Sequence, residues 1–230
     1  MLAKQNTAAD VARPFRPLLM LMCVYLGLTL SGLHAMAALL REFIDLWGLT
    51  NTEAGWLNSS LYFAYVAAVP VIAFSERFDA KKMILVGTVF NVAGYLGFAF
   101  LADGLWSAVL YRILQGIGFA FTYMPGVKAI TDRVSPEMRG RGASLYVSSF
   151  ALTTSFSIII AGAVAEAFSW REAFLLPALT NVLAGLLILF ALPAAKPEHG
   201  EGPRRAVFDF SHELRDRVMV GYIVAGTMHT

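Results

Sequence analysis

Six long apolar stretches, separated by short segments of turn-forming or charged residues, constrain this chain more than any other feature. A helix rises about 1.5 Å per residue and the hydrocarbon core of a bilayer is about 30 Å thick, so roughly 20 apolar residues can span it. The stretches are Pro17–Leu40, Ala54–Phe74, Met83–Ala102, Leu105–Val127, Ala143–Ala165 and Ala173–Leu192. The sequence therefore predicts an all-α membrane protein with six transmembrane helices.

Composition supports a membrane protein and excludes several other classes. Of the 230 residues 57% are apolar and 15% are charged, whereas a soluble domain is about a quarter charged. A net charge of +2 is no nucleic-acid footprint, so no nucleic-acid partner is predicted. The single cysteine, Cys23, excludes an internal disulfide. We find no metal-ligand spacing and no paired intramembrane aspartates, so neither an enzyme nor a metal or cofactor site is predicted.

The distribution of basic residues between alternate loops predicts the orientation of the chain. Fifteen Lys and Arg residues fall on the side that holds both tails, against Arg41 and Arg171 on the other side, with Arg112 inside the fourth stretch. Loops rich in Lys and Arg stay in the cytoplasm. Both tails are therefore predicted to be cytoplasmic, in a bacterial inner membrane.

The two ends of the chain complete the predicted domain organisation. Residues 1–16 form a polar cytoplasmic tail, residues 17–194 the six-helix bundle, and residues 195–217 a charged cytoplasmic linker. Residues 218–230 are apolar, but thirteen helical residues reach only about 20 Å. We interpret this last segment as the truncated start of a seventh helix, and the chain as a fragment.

Three segments resemble one family of transporters. Residues 111–118 read YRILQGIG, which is similar to the Arg-x-x-Gln-Gly-x-Gly signature of the major facilitator superfamily. Residues 132–141 (DRVSPEMRGR) resemble its loop between helices four and five, and residues 169–174 (SWREAF) its Gly-Trp-Arg-x-x-Phe start of helix six. The resemblance implies the first half of a twelve-helix transporter, built as a 3+3 inverted repeat, with a C-terminal six-helix half as its partner.

The loop after the second stretch also resembles a family motif, with differences. Residues 76–82 read ERFDAKK where the family has Asp-Arg-x-Gly-Arg-Lys-Lys, so Glu76 replaces Asp, Asp79 replaces Gly and Ala80 replaces Arg. The family loop packs against neighbouring helices and holds one transport state closed. The residues to which the resemblance gives this gating role are Glu76, Arg77, Asp79, Lys81 and Lys82.

Arg112 is the most informative residue, because a guanidinium in hydrocarbon costs at least about 2.5 kcal/mol and must find a wet cavity or a partner. None of the six stretches contains a carboxylate deep in its interior. The candidate partners of Arg112 that remain are a substrate anion, a backbone carbonyl, water or a residue of the other half. The structural alternative is that Arg112 only ties its helix to a neighbouring helix.

The resemblance implies that helices one, two, four and five line a central cavity that binds a small-molecule substrate. Polar and aromatic residues at helical spacing lie on one face of each of these stretches. The predicted cavity residues are Arg112, Gln115, Phe119, Thr122, Tyr25, Thr29, Asn58, Tyr62, Tyr65, Tyr146, Ser149 and Thr153. Such residues taken singly are more often contacts between helices than substrate ligands.

His34 and Arg112 are candidates for proton coupling, because histidine titrates near neutral pH. On a continuous helix His34 lies two positions after Gly32 and off the face of Tyr25, which weakens its case. A hydrogen-bonded structural histidine is the alternative.

These features predict a secondary transporter that works by alternating access, with its substrate between two bundles near the midplane of the bilayer. Arg112 favours a small organic or inorganic anion as the substrate, by charge complementarity. Efflux of a drug or metabolite is the second interpretation, although Ser157-Ile158 stands where drug antiporters carry Gly-Pro. A non-transporting sensor or assembly protein is the third.

The fragment interpretation predicts the mass of the native protein. A blot of native membranes with an antibody against the N-terminal tail should show a protein of about twice the 25.1 kDa of this chain, because a second bundle follows. A band near 25.1 kDa would contradict the two-bundle prediction.

Overall fold

The computed structural model describes residues 15–74 and 79–193, and within them it is helical, without strands. The tail before residue 15, Glu76, Arg77, the linker at 195–217 and the segment 218–230 lie outside the described residues. The described helices are α1 (Phe15–Thr29), α2 (Ala35–Trp47), α3 (Asn51–Phe74), α4 (Ala80–Leu101), α5 (Leu105–Thr131), α6 (Pro136–Ala167) and α7 (Trp170–Ala191).

Four of these helices, α3, α4, α6 and α7, are long and apolar enough to cross a membrane. Helix α5 has 27 residues, which is also a spanning length, but Arg112 and Gln115 lower its hydropathy. Helix α1 is apolar but shorter, with 15 residues. The predicted all-α membrane architecture is confirmed.

The prediction of a single first helix over Pro17–Leu40 is wrong, because the chain breaks between α1 and α2. Residues 30–34 form a turn, and side chains of α6 and α7 bond to the backbone on its two sides. The amide of Asn181 donates to the Thr29 carbonyl over 3.2 Å, and the His34 N–H donates to the Ser157 hydroxyl over 3.0 Å. A helix can break inside a bilayer only when neighbouring groups satisfy the freed backbone in this way.

Helix α2 extends to Trp47, seven residues beyond the predicted end of the first stretch. Phe43 of α2 lies at the centre of an aromatic cluster, with ring centroids 5.4 Å from Phe98, 5.3 Å from Trp170 and 6.1 Å from Phe174. Gly48 then ends the helix in a left-handed conformation, with φ of 62°. The aromatic residues of the 169–174 segment thus hold α2 against α4 and α7.

Helix α5 packs closely between α3 and α4 through the two glycines of the 111–118 signature. A Cβ added at Gly116 would overlap the backbone oxygen of Leu61 in α3. A Cβ added at Gly118 would lie 2.7 Å from the backbone nitrogen of Asn91 in α4. Both contacts are with backbone atoms, so neither neighbour can yield by turning a side chain. The signature therefore serves close helix packing here.

This contact predicts that Gly116→Ala destabilises the bundle, because the new methyl group forces α3 away from α5. Overpacking of this kind costs about 1–3 kcal/mol. We expect a lower unfolding temperature for the purified protein in detergent. Gly162→Ala is the matched control, since nothing lies within 4 Å of a Cβ added at Gly162. Equal unfolding temperatures for the two variants would contradict the close-packing argument.

Candidate functional site

The side chain of Arg112 lies inside the bundle, with 1% of its surface exposed. Its Nη1 donates to Oε1 of Gln115 over 2.7 Å, and Nε2 of Gln115 donates to the carbonyl of Gly94 in α4 over 3.2 Å. Nε of Arg112 is buried without a hydrogen bond. Arg112 is therefore oriented by its own helix and by α4, yet keeps an unsatisfied donor.

Three further polar side chains lie close enough to this guanidinium group to interact with it electrostatically. The charge of Arg112 acts electrostatically on His34, Tyr62 and Tyr95, which come from the N-terminus of α2, from α3 and from α4. The hydroxyl of Tyr62 lies 3.4 Å from Nε2 of His34. Tyr62 is 39% exposed and His34 is half-buried, so part of each side chain remains accessible from outside the bundle. We call Arg112, Gln115, Tyr62 and His34 the arginine site.

The break between α1 and α2 brings His34 into this site. On a continuous helix the angular position of each residue follows from its number, which would place His34 off the face of Tyr25. The turn at 30–34 interrupts that relation. His34 instead becomes the N-cap residue of α2, with Nδ1 buried and without a hydrogen bond.

No carboxylate neutralises Arg112 among residues 15–74 and 79–193. The ion pairs in this part of the chain join Lys128 to Asp132 and Arg133 to Asp79. A buried cation without a counter-ion is costly unless a ligand, water or another chain segment supplies one. The described residues therefore leave a buried positive charge without a carboxylate counter-ion.

A second group of predicted cavity residues is buried between α1, α5 and α6. Tyr25, Thr29, Thr122 and Tyr146 are each no more than 3% exposed. The hydroxyl oxygens of Tyr25, Thr29 and Tyr146 are buried without a hydrogen-bond partner. These residues form a polar interior in this conformation rather than an open surface, and their contact with substrate stays a prediction.

The remaining predicted cavity residues lie on α3, α5 and α6. Asn58 and Tyr65 are half-buried on α3, and Phe119 is buried on α5. The hydroxyls of Ser149 and Thr153 donate to carbonyls of their own helix, over 2.8 Å and 2.9 Å. The structure therefore brings Arg112, Gln115 and Tyr62 together and leaves Ser149 and Thr153 on a separate helix.

A cluster of charges elsewhere in the bundle contains two of the predicted gating residues, Asp79 and Lys81, together with Arg133. Asp79 caps α4 by accepting from the Lys81 N–H over 3.1 Å, and Nζ of Lys81 donates to the Leu189 carbonyl over 2.7 Å. Nη2 of Arg133 contacts Asp79 at 3.4 Å and donates to the Pro193 carbonyl over 2.9 Å. This cluster joins the start of α4 to the ends of α5 and α7, whereas Lys82 is exposed.

Arg133 was not among the predicted gating residues, although its side chain is the centre of the cluster. Its Nη1 also donates to the Ala129 carbonyl over 3.1 Å. The sequence did contain a signal, because Arg133 lies in the 132–141 segment that resembles the family loop between helices four and five. Its pairing with Asp79, 54 residues away, required the tertiary structure.

The described residues form an all-helical bundle in which four helices are long and apolar enough to cross a membrane, which is the architecture of a polytopic membrane protein. The family model of the Major Facilitator Superfamily matches residues 18–230. The chain belongs to this superfamily of transporters, which is not an enzyme family.

Individual relatives are distant and of varied function. The chain is 28% identical over 169 residues to the MFS antiporter QDR3 of Candida albicans, covering 72% of this chain and 24% of that protein. It is 25% identical over 171 residues to the sphingosine-1-phosphate transporter SPNS2 of Mus musculus, covering 73% and 31%. A crystal structure of the peptide transporter POT in complex with sulfate superposes with a TM-score of 0.69 at 18% identity, covering 99% of this chain and 49% of that one.

These comparisons show the family and the fold. The chain spans about a quarter to a third of the two curated relatives and about half of the solved transporter. The charge cluster and the arginine site both lie within the part of the chain that the structure describes.

The charge cluster predicts that Arg133→Ala destabilises the protein, because it leaves the buried Asp79 carboxylate without its ion pair and two carbonyls without their donor. Loss of a buried charged hydrogen-bond partner costs about 1–3 kcal/mol. We expect a lower unfolding temperature than for Arg141→Ala, which removes an exposed arginine of the same region. Identical unfolding curves for the two variants would show that the cluster is dispensable.

Proposed function

We propose that this chain is the N-terminal six-helix half of a secondary transporter that moves a small organic or inorganic anion by alternating access. In this proposal residues 17–194 are the bundle, 195–217 the inter-bundle linker and 218–230 the start of the seventh helix. The N-terminus and the linker are cytoplasmic, and the membrane is the bacterial inner membrane. The observation that carries the proposal is Arg112, a buried cation with an unsatisfied Nε.

A second bundle is supported by the uneven burial of the helices. Half of the apolar stretch of α4 and 44% of that of α7 are buried inside the bundle, against 28% for α3 and 11% for α6. A helix that only separates the bundle from lipid needs one exposed face. Helices α3 and α6 expose more of their surface than a single face. Each therefore has one face available for the C-terminal half and another for lipid.

The anionic substrate is supported by the balance of charge in the arginine site. Nη1 of Arg112 is engaged by Gln115, and the other neighbours of the guanidinium are the uncharged Tyr62 and Tyr95 and the titratable His34. A bound anion would compensate the charge that the protein leaves uncompensated. His34, whose ring contacts Tyr62 beside Arg112, is then the group that would couple a proton to the arrival of the anion.

Efflux by antiport is the second candidate, because one of the matched relatives is named as an antiporter. The two candidates differ in direction and coupling rather than in the site. A substrate anion at Arg112 is compatible with either, since alternating access works in both directions.

Arg112→Ala should abolish anion flux and leave the amount of protein in the membrane unchanged, because the counter-charge of the substrate is lost. The measurement is uptake of radiolabelled phosphate, sulfate and benzoate into proteoliposomes that contain the natural full-length protein. We expect at least a tenfold loss of whichever flux the wild type shows, and partial retention in Arg112→Lys. Arg41→Ala, at an exposed position of α2, is the control and should keep the wild-type flux.

Two outcomes would contradict the proposal. Wild-type flux in Arg112→Ala would remove the arginine from the substrate site. Flux of none of the three anions by the wild-type protein, with neutral solutes carried instead, would remove the anionic substrate class.

A further inference from the structure

Five aromatic rings form a continuous wall across α3, α5 and α6. Tyr65 stacks on Phe119 with centroids 4.7 Å apart, and Phe119 lies 6.2 Å from Phe150. Tyr123 lies 5.6 Å from Phe119 and 5.1 Å from Phe150. Tyr146, at 6.0 Å from Tyr123, completes the set. We call these five residues the aromatic wall.

The wall has a covered centre and accessible edges. Phe119 and Tyr146 are buried, whereas Tyr65, Tyr123 and Phe150 are half-buried and keep part of their ring surface free. Two of the three accessible rings carry hydroxyls, which are disfavoured in contact with lipid tails near the midplane. The accessible rings also come from α3 and α6, the helices with most exposed surface, together with α5.

The wall is continuous with the arginine site along two helices. On α5, Phe119 follows Arg112 by seven residues, which is two turns on the same face and a rise of about 10 Å. On α3, Tyr65 follows Tyr62 by three residues, so the two rings are neighbours on one face. A ligand that reaches Arg112 past Tyr62 therefore meets Tyr65 next.

We propose that the substrate is an amphipathic organic anion, a carboxylate that carries an aromatic ring on an alkyl tether. This inference rests on the proposed anion transport and adds the class of substrate. The carboxylate pairs with Arg112, and the ring packs against Tyr65, Tyr123 and Phe150 through offset or edge-to-face contacts. Because the two subsites are about 10 Å apart along α5, a tether of several methylene groups fits better than none.

The test is the increase in unfolding temperature of the natural full-length protein on addition of a series of phenylalkanoates with none to six methylene groups. A ligand that binds the folded state raises this temperature by an amount that grows with the logarithm of the ratio of its concentration to its Kd. We expect an optimum at an intermediate tether, and about three- to tenfold weaker binding of the cyclohexyl analogue of equal length. The phenylalkanamide of the same length should not bind, because it lacks the charge.

Variants separate the wall from the arginine. Tyr65→Leu and Phe150→Leu should each reduce the preference for phenyl over cyclohexyl by about threefold or more, while Tyr65→Phe keeps it because the ring remains. Phe190→Leu is the control and should also keep the preference, since Phe190 lies on α7 with 82% of its surface exposed. Arg112→Gln should abolish binding of every carboxylate in the series.

The outcomes distinguish the two proposals. Carboxylate binding that depends on Arg112 but shows no preference for a ring or for a tether length overturns this inference and keeps anion transport. Carboxylate binding that survives Arg112→Gln, or binding of the amides as tightly as of the acids, overturns the anion proposal itself. A phenyl preference that persists in Tyr65→Leu and Phe150→Leu overturns the assignment of the ring to the wall.

Discussion

Lipid tails solvate apolar side chains about as well as a protein interior does, so helices in a membrane are held together by close packing and by polar contacts rather than by hydrophobic burial. Helix α5 meets this constraint with Gly116 against the backbone of α3 and Gly118 against the backbone of α4. The position of Arg112 depends on that approach. It places the Gln115 amide within reach of the Gly94 carbonyl, and Gln115 in turn holds Arg112.

The break between α1 and α2 is the second determinant of the site, and it depends on helices far away in sequence. Asn181 and Ser157 supply the hydrogen bonds that the Thr29 carbonyl and the His34 N–H need at the break. With these groups satisfied, the first span can change direction, and His34 can lie beside Tyr62 near Arg112.

The charge cluster at Asp79 and Arg133 differs from the arginine site, because here the arginine has a carboxylate partner within the bundle. Arg133 joins the N-cap of α4 to the carbonyls at the ends of α5 and α7. Arg133 has a carboxylate counter-ion inside the bundle that stabilises one arrangement of these helices, whereas Arg112 has no carboxylate partner among the described residues. The bundle thus contains one arginine, Arg133, with a carboxylate partner and another, Arg112, without a carboxylate partner among the described residues.

The sequence by itself determined the all-α membrane class, the approximate limits of the later helices and the presence of a charged residue, Arg112, within a spanning segment, because hydropathy, helical length and the cost of a charge in hydrocarbon are local properties. The 111–118 signature likewise marked Gly116 and Gly118 before their neighbours were known. Sequence reasoning failed where the outcome depended on distant side chains: the break at 30–34, the extension of α2 to Trp47 and the pairing of Arg133 with Asp79. Only the tertiary structure decided these, since each requires hydrogen bonds, ring contacts or an ion pair from residues remote in the chain, and such contacts leave no periodic pattern in the segment they act on.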